Sequence, residues 1–481
     1  MSDNRNFTMM TDLYQLTMMN GYFKNNKEER VIFDLFYRTN PCGNGYAICA
    51  GLEDVVNYIK NLKFENDDVD YLRSLNLFEE DFLEYLSNFK FSGDIWAIPE
   101  GTIVFPMEPL VKVKANIMEA QLVETTLLNF INHQSLIATK AARVCEAANG
   151  KTVMEFGLRR AQGPDAGTKG ARAAVIGGCK GTSNVLCGKL YDLPIMGTHA
   201  HSWIMSFDTE FEAFMAYANA FKDNITLLVD TYNVVKSGVP NAIKVFETLK
   251  KEKRLPEHFG IRIDSGDLAY LSKKSRKMLD EAGFEKATIC VSSDLDENVI
   301  TSLNSQGACI DSYGVGTNLI TSKDCPAFGG VYKLSGVEKD GNIIPKIKLS
   351  ENFIKITNPG DKKIVRIYNK DKKANADIIC MADEVFDTSK DLVIFDPIDT
   401  WKKTKFKAGE YTTRELLVKV FENGKCVYDL PTLKEIKEHA ESEKNTMWEE
   451  TRRIVNPHKY YVDLSDKLWN IKKDLMDKYS E

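Results

Sequence analysis

Between Gly150 and Thr317 six short apolar runs each end abruptly in polar or glycine residues, and this repetition restricts the fold more than any other feature of the chain. The runs are Thr152–Phe156, Pro194–Thr198, Thr226–Asp230, Gly260–Asp264, Thr288–Ser293 and Ala308–Gly314, with helical spacing over Glu210–Phe221, Asn241–Lys250 and Tyr270–Ala282 between some of them. Apolar strands alternating with helices form a parallel sheet covered on both faces, and this many units favour closure into a barrel over an open sheet. In such a barrel the polar residues at the C-terminal strand ends meet at one mouth, so residues far apart in sequence share a site.

The flanking sequence has a different texture. Apolar spacing over Thr11–Phe23 predicts an amphipathic helix capped by Thr11 or Asp12, with Tyr14 and Tyr22 on its buried face. There follow a strand over Val31–Tyr37, a turn-rich loop over Arg38–Gly45, charged helices over Leu52–Phe89, a compact β unit over Gly93–Asn116 and helix over Ile117–Ala148. After the repeats, Val331–Cys380 is β-rich, Leu416–Phe421 reads as strand or helix, and Glu435–Arg453 and Leu464–Tyr479 as charged helices. At 481 residues the chain exceeds what one core supports. No low-complexity linker divides it, so residues 1–149 and 331–481 are expected to pack together as one domain beside a barrel formed by 150–330.

A formal net charge of -6 argues against a nucleic-acid surface, which needs a concentrated basic face, but leaves room for a local cationic pocket that binds a small anion. The ten cysteines include no CxxC pair and read as reduced thiols of a cytoplasmic protein. The first residues lack the apolar run of a signal peptide, and no apolar stretch reaches the roughly 18 residues of a membrane helix.

The strand ends assemble an inventory: Glu155 with Arg159 and Arg160; Thr198 with His199 and His201; Asp230; Arg262 with Asp264 and Asp267; Ser292 and Ser293; and Gly314, Gly316 and Thr317. Two of only six histidines thus fall within three positions of each other, just after a strand candidate. The glycine loop offers backbone N–H groups to a phosphate, or simply makes a tight turn. The arginines offer bidentate donors to phosphate or carboxylate. The aspartates can bind a sugar diol, orient a histidine or hold Mg²⁺ through water, and helix capping competes with each of these roles. Together the groups suit a phosphorylated sugar, with a histidine as nucleophile or proton carrier, and do not choose between isomerase, aldolase and transferase.

The exact residues go further. Thr11-Asp-Leu-Tyr-Gln-Leu-Thr-Met18, Phe36-Tyr-Arg-Thr-Asn-Pro41, Glu155-Phe-Gly-Leu-Arg-Arg-Ala-Gln-Gly-Pro164, Gly197-Thr-His-Ala-His-Ser202, Arg262-Ile-Asp-Ser-Gly-Asp-Leu268, Gly314-Val-Gly-Thr317 and Asn456-Pro-His458 stand in this order. The chain thereby resembles the nicotinate phosphoribosyltransferases, type II phosphoribosyltransferases. The resemblance implies an irregular α/β barrel beside an α/β sandwich built from N- and C-terminal segments, and a homodimer with shared active sites. It implies the joining of nicotinate to 5-phosphoribosyl 1-pyrophosphate, with Mg²⁺ held mainly by substrate phosphates and ATP as co-substrate.

Carried over by residue, the resemblance makes His201 the phosphorylated histidine and Asp230 the carboxylate that orients it, with His199 at a variable position. Tyr14, Thr198, Arg262 and Arg159 are implied at the nicotinate end, Tyr14 from the second subunit. Asp264 and Asp267 are implied near the ribose, and Gly314, Gly316, Thr317 and Ser293 at the phosphate. A nicotinamide-using enzyme of the same fold and a non-catalytic nucleotide or phosphosugar sensor are the alternatives. The arginines after Glu155 favour the acid over the amide, and the presence of His201, Asp230 and Arg262 speaks against a sensor.

Overall fold

The apolar runs at Thr152 and Thr288 give shorter strands than their lengths suggest, and those at Thr226 and Gly260 give strands that begin two residues earlier. In the computed structural model, which describes residues 5–352 and 355–480, the strands Thr152–Glu155, Gly181–Thr182, Asn224–Leu228, His258–Ile263, Thr288–Val291 and Ser312–Val315 form one six-stranded sheet. Their spatial order is 181–182, 152–155, 312–315, 288–291, 258–263, 224–228, and every neighbouring pair is parallel. Leu227, Ile261, Ile263, Ile289 and Val291 are all buried, as expected of strands enclosed on both faces. Helices such as Val239–Lys251, Leu268–Glu281 and Glu297–Ser305 return the chain between strands.

Two strand expectations change. The Pro194–Thr198 run makes only a single bridge, Ile195 with Thr182. Pro194 has no N–H to donate, so its carbonyl and the Met196 N–H alone reach Thr182. The strand Gly181–Thr182, two residues with no apolar run, takes the place beside Thr152–Glu155. The Ala308–Gly314 run narrows to Ser312–Val315, because Gly307 (φ 70°) and Ala308, whose N–H donates to Leu303 O, finish the preceding helix. The result is an irregular barrel with one seam, between the segment after Ile195 and the free edge of Asn224–Leu228.

The chain divides into two compact units: Ile137–Pro326, which holds this barrel, and Met1–Leu136 with Ala327–Glu481. In the latter, an α/β sandwich, strands from both ends of the chain share one sheet. Arg30–Tyr37 lies antiparallel between Val111–Asn116 and Gly330–Lys339, and Val418–Glu422 pairs with Asp94–Ala97. The hairpin from Gly330–Lys339 to Asn342–Pro345 turns on Asp340 and Gly341, both left-handed (φ 52° and 76°), the pair a two-residue turn requires. A second sheet of six strands carries Arg366, fully buried, whose guanidinium meets Asp377 (2.7 Å) and Glu443 (3.0 Å), both buried too.

The first helix runs Leu13–Lys24 with Asp12 at its N-cap position. Its inward face is narrower than the apolar spacing suggests: Leu16 and Met19 are buried, but Leu13 and Tyr14 stay 53% and 47% exposed. Tyr14 is therefore not a core residue. Among the described residues no helix is long and apolar enough to cross a membrane.

Candidate active site

Arg262, near the end of the His258–Ile263 strand, organises the barrel mouth. Its side chain is only 14% exposed. Nε donates to Ser292 Oγ (2.9 Å), Nη1 to Thr198 Oγ1 (3.1 Å) and Nη2 to Asp264 Oδ1 (3.1 Å), and the guanidinium lies 5.9 Å from the centre of the Phe156 ring. A rigid fork of N–H groups held from three sides keeps its orientation without a ligand. Ser292 Oγ also donates to Asp264 Oδ1, closing a triangle of arginine, serine and aspartate. The other carboxylate oxygen, Asp264 Oδ2, stands 3.8 Å from His201 Nε2. His201 is 39% exposed and its Nδ1 meets Thr231 Oγ1 at 3.2 Å.

Asp230 is used differently from what the resemblance implies. Its Oδ2 accepts from Asp264 N (3.0 Å) and Ser265 Oγ (2.6 Å), which ties the ends of two neighbouring strands. The partner of His201 Nδ1 is instead the next residue, Thr231. Asp230 Oδ1 is buried with no hydrogen-bond partner among the described residues. His199 points into the seam: its Nε2 accepts the Leu228 N–H at 3.3 Å and its ring lies 4.5 Å from that of Tyr217. Burial brings the His199 pKa down from 6.5 to about 4, with Arg262 and His201 adding to the effect, so the ring is a neutral acceptor near neutral pH.

The remaining candidates fall into two groups. Glu155 is fully buried, and accepts from Thr182 Oγ1 (2.6 Å) and from the Gly157 N–H. Burial raises its pKa, and these bonds make it the anchor of the turn after its strand. Asp267 caps the Leu268–Glu281 helix by accepting from Tyr270 N (3.0 Å). Gly314 is required by a close approach: a Cβ there would lie 2.5 Å from the Phe156 ring.

Gly316 and Thr317 open the short Thr317–Ile320 helix and are partly exposed. Ser293 is exposed with φ 107°, a conformation L-residues rarely adopt. Asn318 Nδ2 donates to Asp294 O (3.0 Å) and Leu295 O (3.2 Å), joining the loops after two strands. Arg159 is exposed on the Leu158–Arg160 turn.

Ser292 stands in the strand-end inventory without a role of its own, and Thr231 is absent from it. Ser292 ends an apolar strand and so carried a signal; Thr231 had none beyond adjacency to Asp230. Within the other unit, Arg38 to Asn40 and Pro457 with His458, from two further motifs, line one cavity of about 520 Å³. Among the described residues no group of three His, Cys, Asp or Glu side chains is placed to hold a metal ion.

Comparison with known proteins places the chain in a family. The nicotinate phosphoribosyltransferase N-terminal domain matches residues 9–132 and the corresponding C-terminal domain residues 361–472. Nicotinate phosphoribosyltransferase of Bacillus subtilis (strain 168) is 45% identical over 467 residues, 97% of this chain and 94% of that one. The enzyme of that name from Caenorhabditis elegans is 37% identical over 523 residues, 96% and 92% of the two chains. The crystal structure of human nicotinic acid phosphoribosyltransferase superposes with a TM-score of 0.85 at 30% identity, over 97% of this chain and 99% of that one. With this identity sustained along nearly the whole length, the chain belongs to the nicotinate phosphoribosyltransferase family.

Proposed function

We propose that the chain joins nicotinate to 5-phosphoribosyl 1-pyrophosphate, giving nicotinate mononucleotide and pyrophosphate for NAD salvage, and couples the reaction to ATP through transient phosphorylation of His201. The observation that carries this reading is the oriented Arg262, held by Thr198, Ser292 and Asp264 with His201 beside it. A guanidinium with N–H groups to spare recognises the nicotinate carboxylate in a way that an amide substrate cannot match. Thr198 borders the same end of the site, and Arg159 adds positive charge at the rim. Tyr14, half exposed on its helix, is available to stack on the pyridine ring of a second copy in a homodimer.

The sugar end follows from charge. Cleavage of the ribose–pyrophosphate bond builds oxocarbenium character that the Asp264 carboxylate stabilises. Ser293, Gly316 and Thr317 supply backbone and hydroxyl donors for the phosphorylated ribose, while Gly314 lets their strand pass close to the Phe156 ring and Asp267 caps the helix that borders the site. Asp230 suits Mg²⁺, because its buried Oδ1 is a hard oxygen with no other partner among the described residues. Mg²⁺ held there through water, and by substrate phosphates, would neutralise charge on the departing pyrophosphate.

With Nδ1 of His201 engaged by Thr231, Nε2 is the nitrogen left for phosphoryl transfer. Nε2 attacks the terminal phosphorus of ATP, the bridging P–O bond breaks, and ADP leaves. Water later cleaves the N–P bond and releases phosphate. Incubation with γ-labelled ATP should give an acid-labile label on His201, lost in His201→Asn, and rates on nicotinate should far exceed those on nicotinamide. A His201→Asn enzyme that still consumes ATP in step with product would refute the coupling, and equal rates on acid and amide would refute the substrate.

A further inference from the structure

The segment that carries His201 is not a strand of the barrel. Beyond the bridge at Ile195 it is fastened to the neighbouring strand edge by side chains. Leu228 is paired with Arg262 in the sheet, and the next N–H, that of Val229, donates to Arg262 O. N–H groups alternate in direction along a strand, so the Leu228 N–H faces the seam, where His199 Nε2 accepts it at 3.3 Å. Three residues on, Thr231 Oγ1 meets His201 Nδ1 at 3.2 Å. Two side-chain bonds, spaced along both edges, stand where a backbone ladder is missing.

We propose that His199 is a positioning residue for the phosphoryl-accepting histidine: together with Thr231 it closes the seam and fixes His201 with its proton on Nδ1 and its Nε2 lone pair toward the mouth. The role given to His201 rests on the function proposed above. Several observations support the arrangement. The seam-closing ring must be an uncharged acceptor, and burial keeps His199 neutral. Tyr217 packs at 4.5 Å and holds the ring plane, and Arg262 Nη1 approaches the His199 carbonyl at 3.5 Å. The 3.8 Å from His201 Nε2 to Asp264 Oδ2 exceeds a hydrogen bond, so that nitrogen has no acceptor demanding its proton.

The test uses the full chain. His199→Gln keeps an acceptor close to the Nε2 position and His199→Leu removes it; Thr231→Ser and Thr231→Val do the same on the other side. Single-turnover labelling of His201 by γ-labelled ATP should slow at least tenfold in His199→Leu and Thr231→Val, recover to within about threefold of wild type in His199→Gln and Thr231→Ser, and leave the KM for nicotinate unchanged. Long-range ¹H–¹⁵N spectra of histidine-labelled protein need no turnover, and should show the Nδ1–H form of His201 in wild type and a tautomer mixture in His199→Leu. An unaltered His201 tautomer in His199→Leu, or a wild-type proton on Nε2, overturns the proposal. Absence of any label in wild type, with the tautomer shift intact, sinks the phosphohistidine reading and leaves the positioning role standing.

Discussion

Acidification should open the barrel seam before it unfolds the molecule, because the acceptor that closes the seam is a histidine. The His199 pKa is depressed in the folded state, from 6.5 to about 4, with burial the largest cause. Above pH 6.5 the ring is neutral whether the seam is open or closed, and its contribution is complete. As pH falls from 6.5 toward 4 the open form binds a proton that the closed form refuses, so stability of the closed seam is progressively lost. A shift of that size corresponds to about 3 kcal/mol, which solvent access at the partly exposed ring screens to about 2 kcal/mol, roughly a 30-fold change in the opening equilibrium. The Leu228 amide reports this directly, since its N–H is the group donated to His199. Its hydrogen-exchange protection, corrected for the intrinsic pH dependence of exchange, should fall by about that factor between pH 6.5 and 4, while buried amides such as Ile261 hold. In His199→Leu the protection should already be low at pH 7, through about 1–3 kcal/mol for an unsatisfied N–H, and should vary little with pH. Protection that declines equally in wild type and His199→Leu would refute the reasoning.

Asp264→Asn removes the charge that faces His201 and holds Arg262, and should lower kcat by about 10²–10³ with a much smaller effect on melting temperature, read from initial rates and a thermal melt. Gly314→Ala drives a methyl to 2.5 Å from the Phe156 ring and should cost about 1–3 kcal/mol in a denaturant titration. Arg366→Met strands Asp377 in the interior, while Glu443 keeps Arg414 at 2.8 Å, and should cost about 3–5 kcal/mol, whereas replacing Arg366 and Asp377 together by apolar residues of matching volume should recover much of that loss. Tyr14→Ala removes a half-exposed ring and its hydrogen bond to Glu124 and should cost about 0.5–1.5 kcal/mol, yet also raise the KM for nicotinate. Mixing it with an inactive His201→Asn chain should regain activity if the site is shared between copies.

The architecture was legible because it rests on period and length. Alternating apolar runs and helical stretches required a covered parallel sheet, and five of the six runs overlap its strands. The sixth failed for a local reason, a proline whose missing N–H leaves Ile195 with one bridge. Gly181–Thr182 escaped notice because a two-residue strand carries no periodicity. Tyr14 shows the same limit on a helix: spacing identifies the apolar stripe but not how much of it a neighbour covers, and two of its members stay exposed.

The sequence candidates Thr198, Arg262, Asp264 and His201 lie together at the barrel mouth, whereas the wiring among them was not legible. Which of two adjacent residues meets His201 depends on strand register and on a turn of the backbone, and these place Thr231 at Nδ1 and send Asp230 to the Asp264 N–H. Membership of a motif likewise does not separate groups that face a substrate from groups that hold the turn. Glu155, Asp267 and Gly314 are accounted for by an anchored turn, a helix cap and a close ring approach, while Arg262, Asp264 and His201 have side chains that a ligand can still engage. The two groups meet at the seam. A strand in a continuous ladder is held by a series of backbone bonds that no single substitution can release. The His201 segment is held by two side-chain bonds, each worth about 0.5–1.5 kcal/mol net. On the phosphohistidine reading proposed above, adding charge to His201 and removing it again would be enough to cross a difference of that size, so the missing strand would give that histidine a freedom to move that the other strand ends lack.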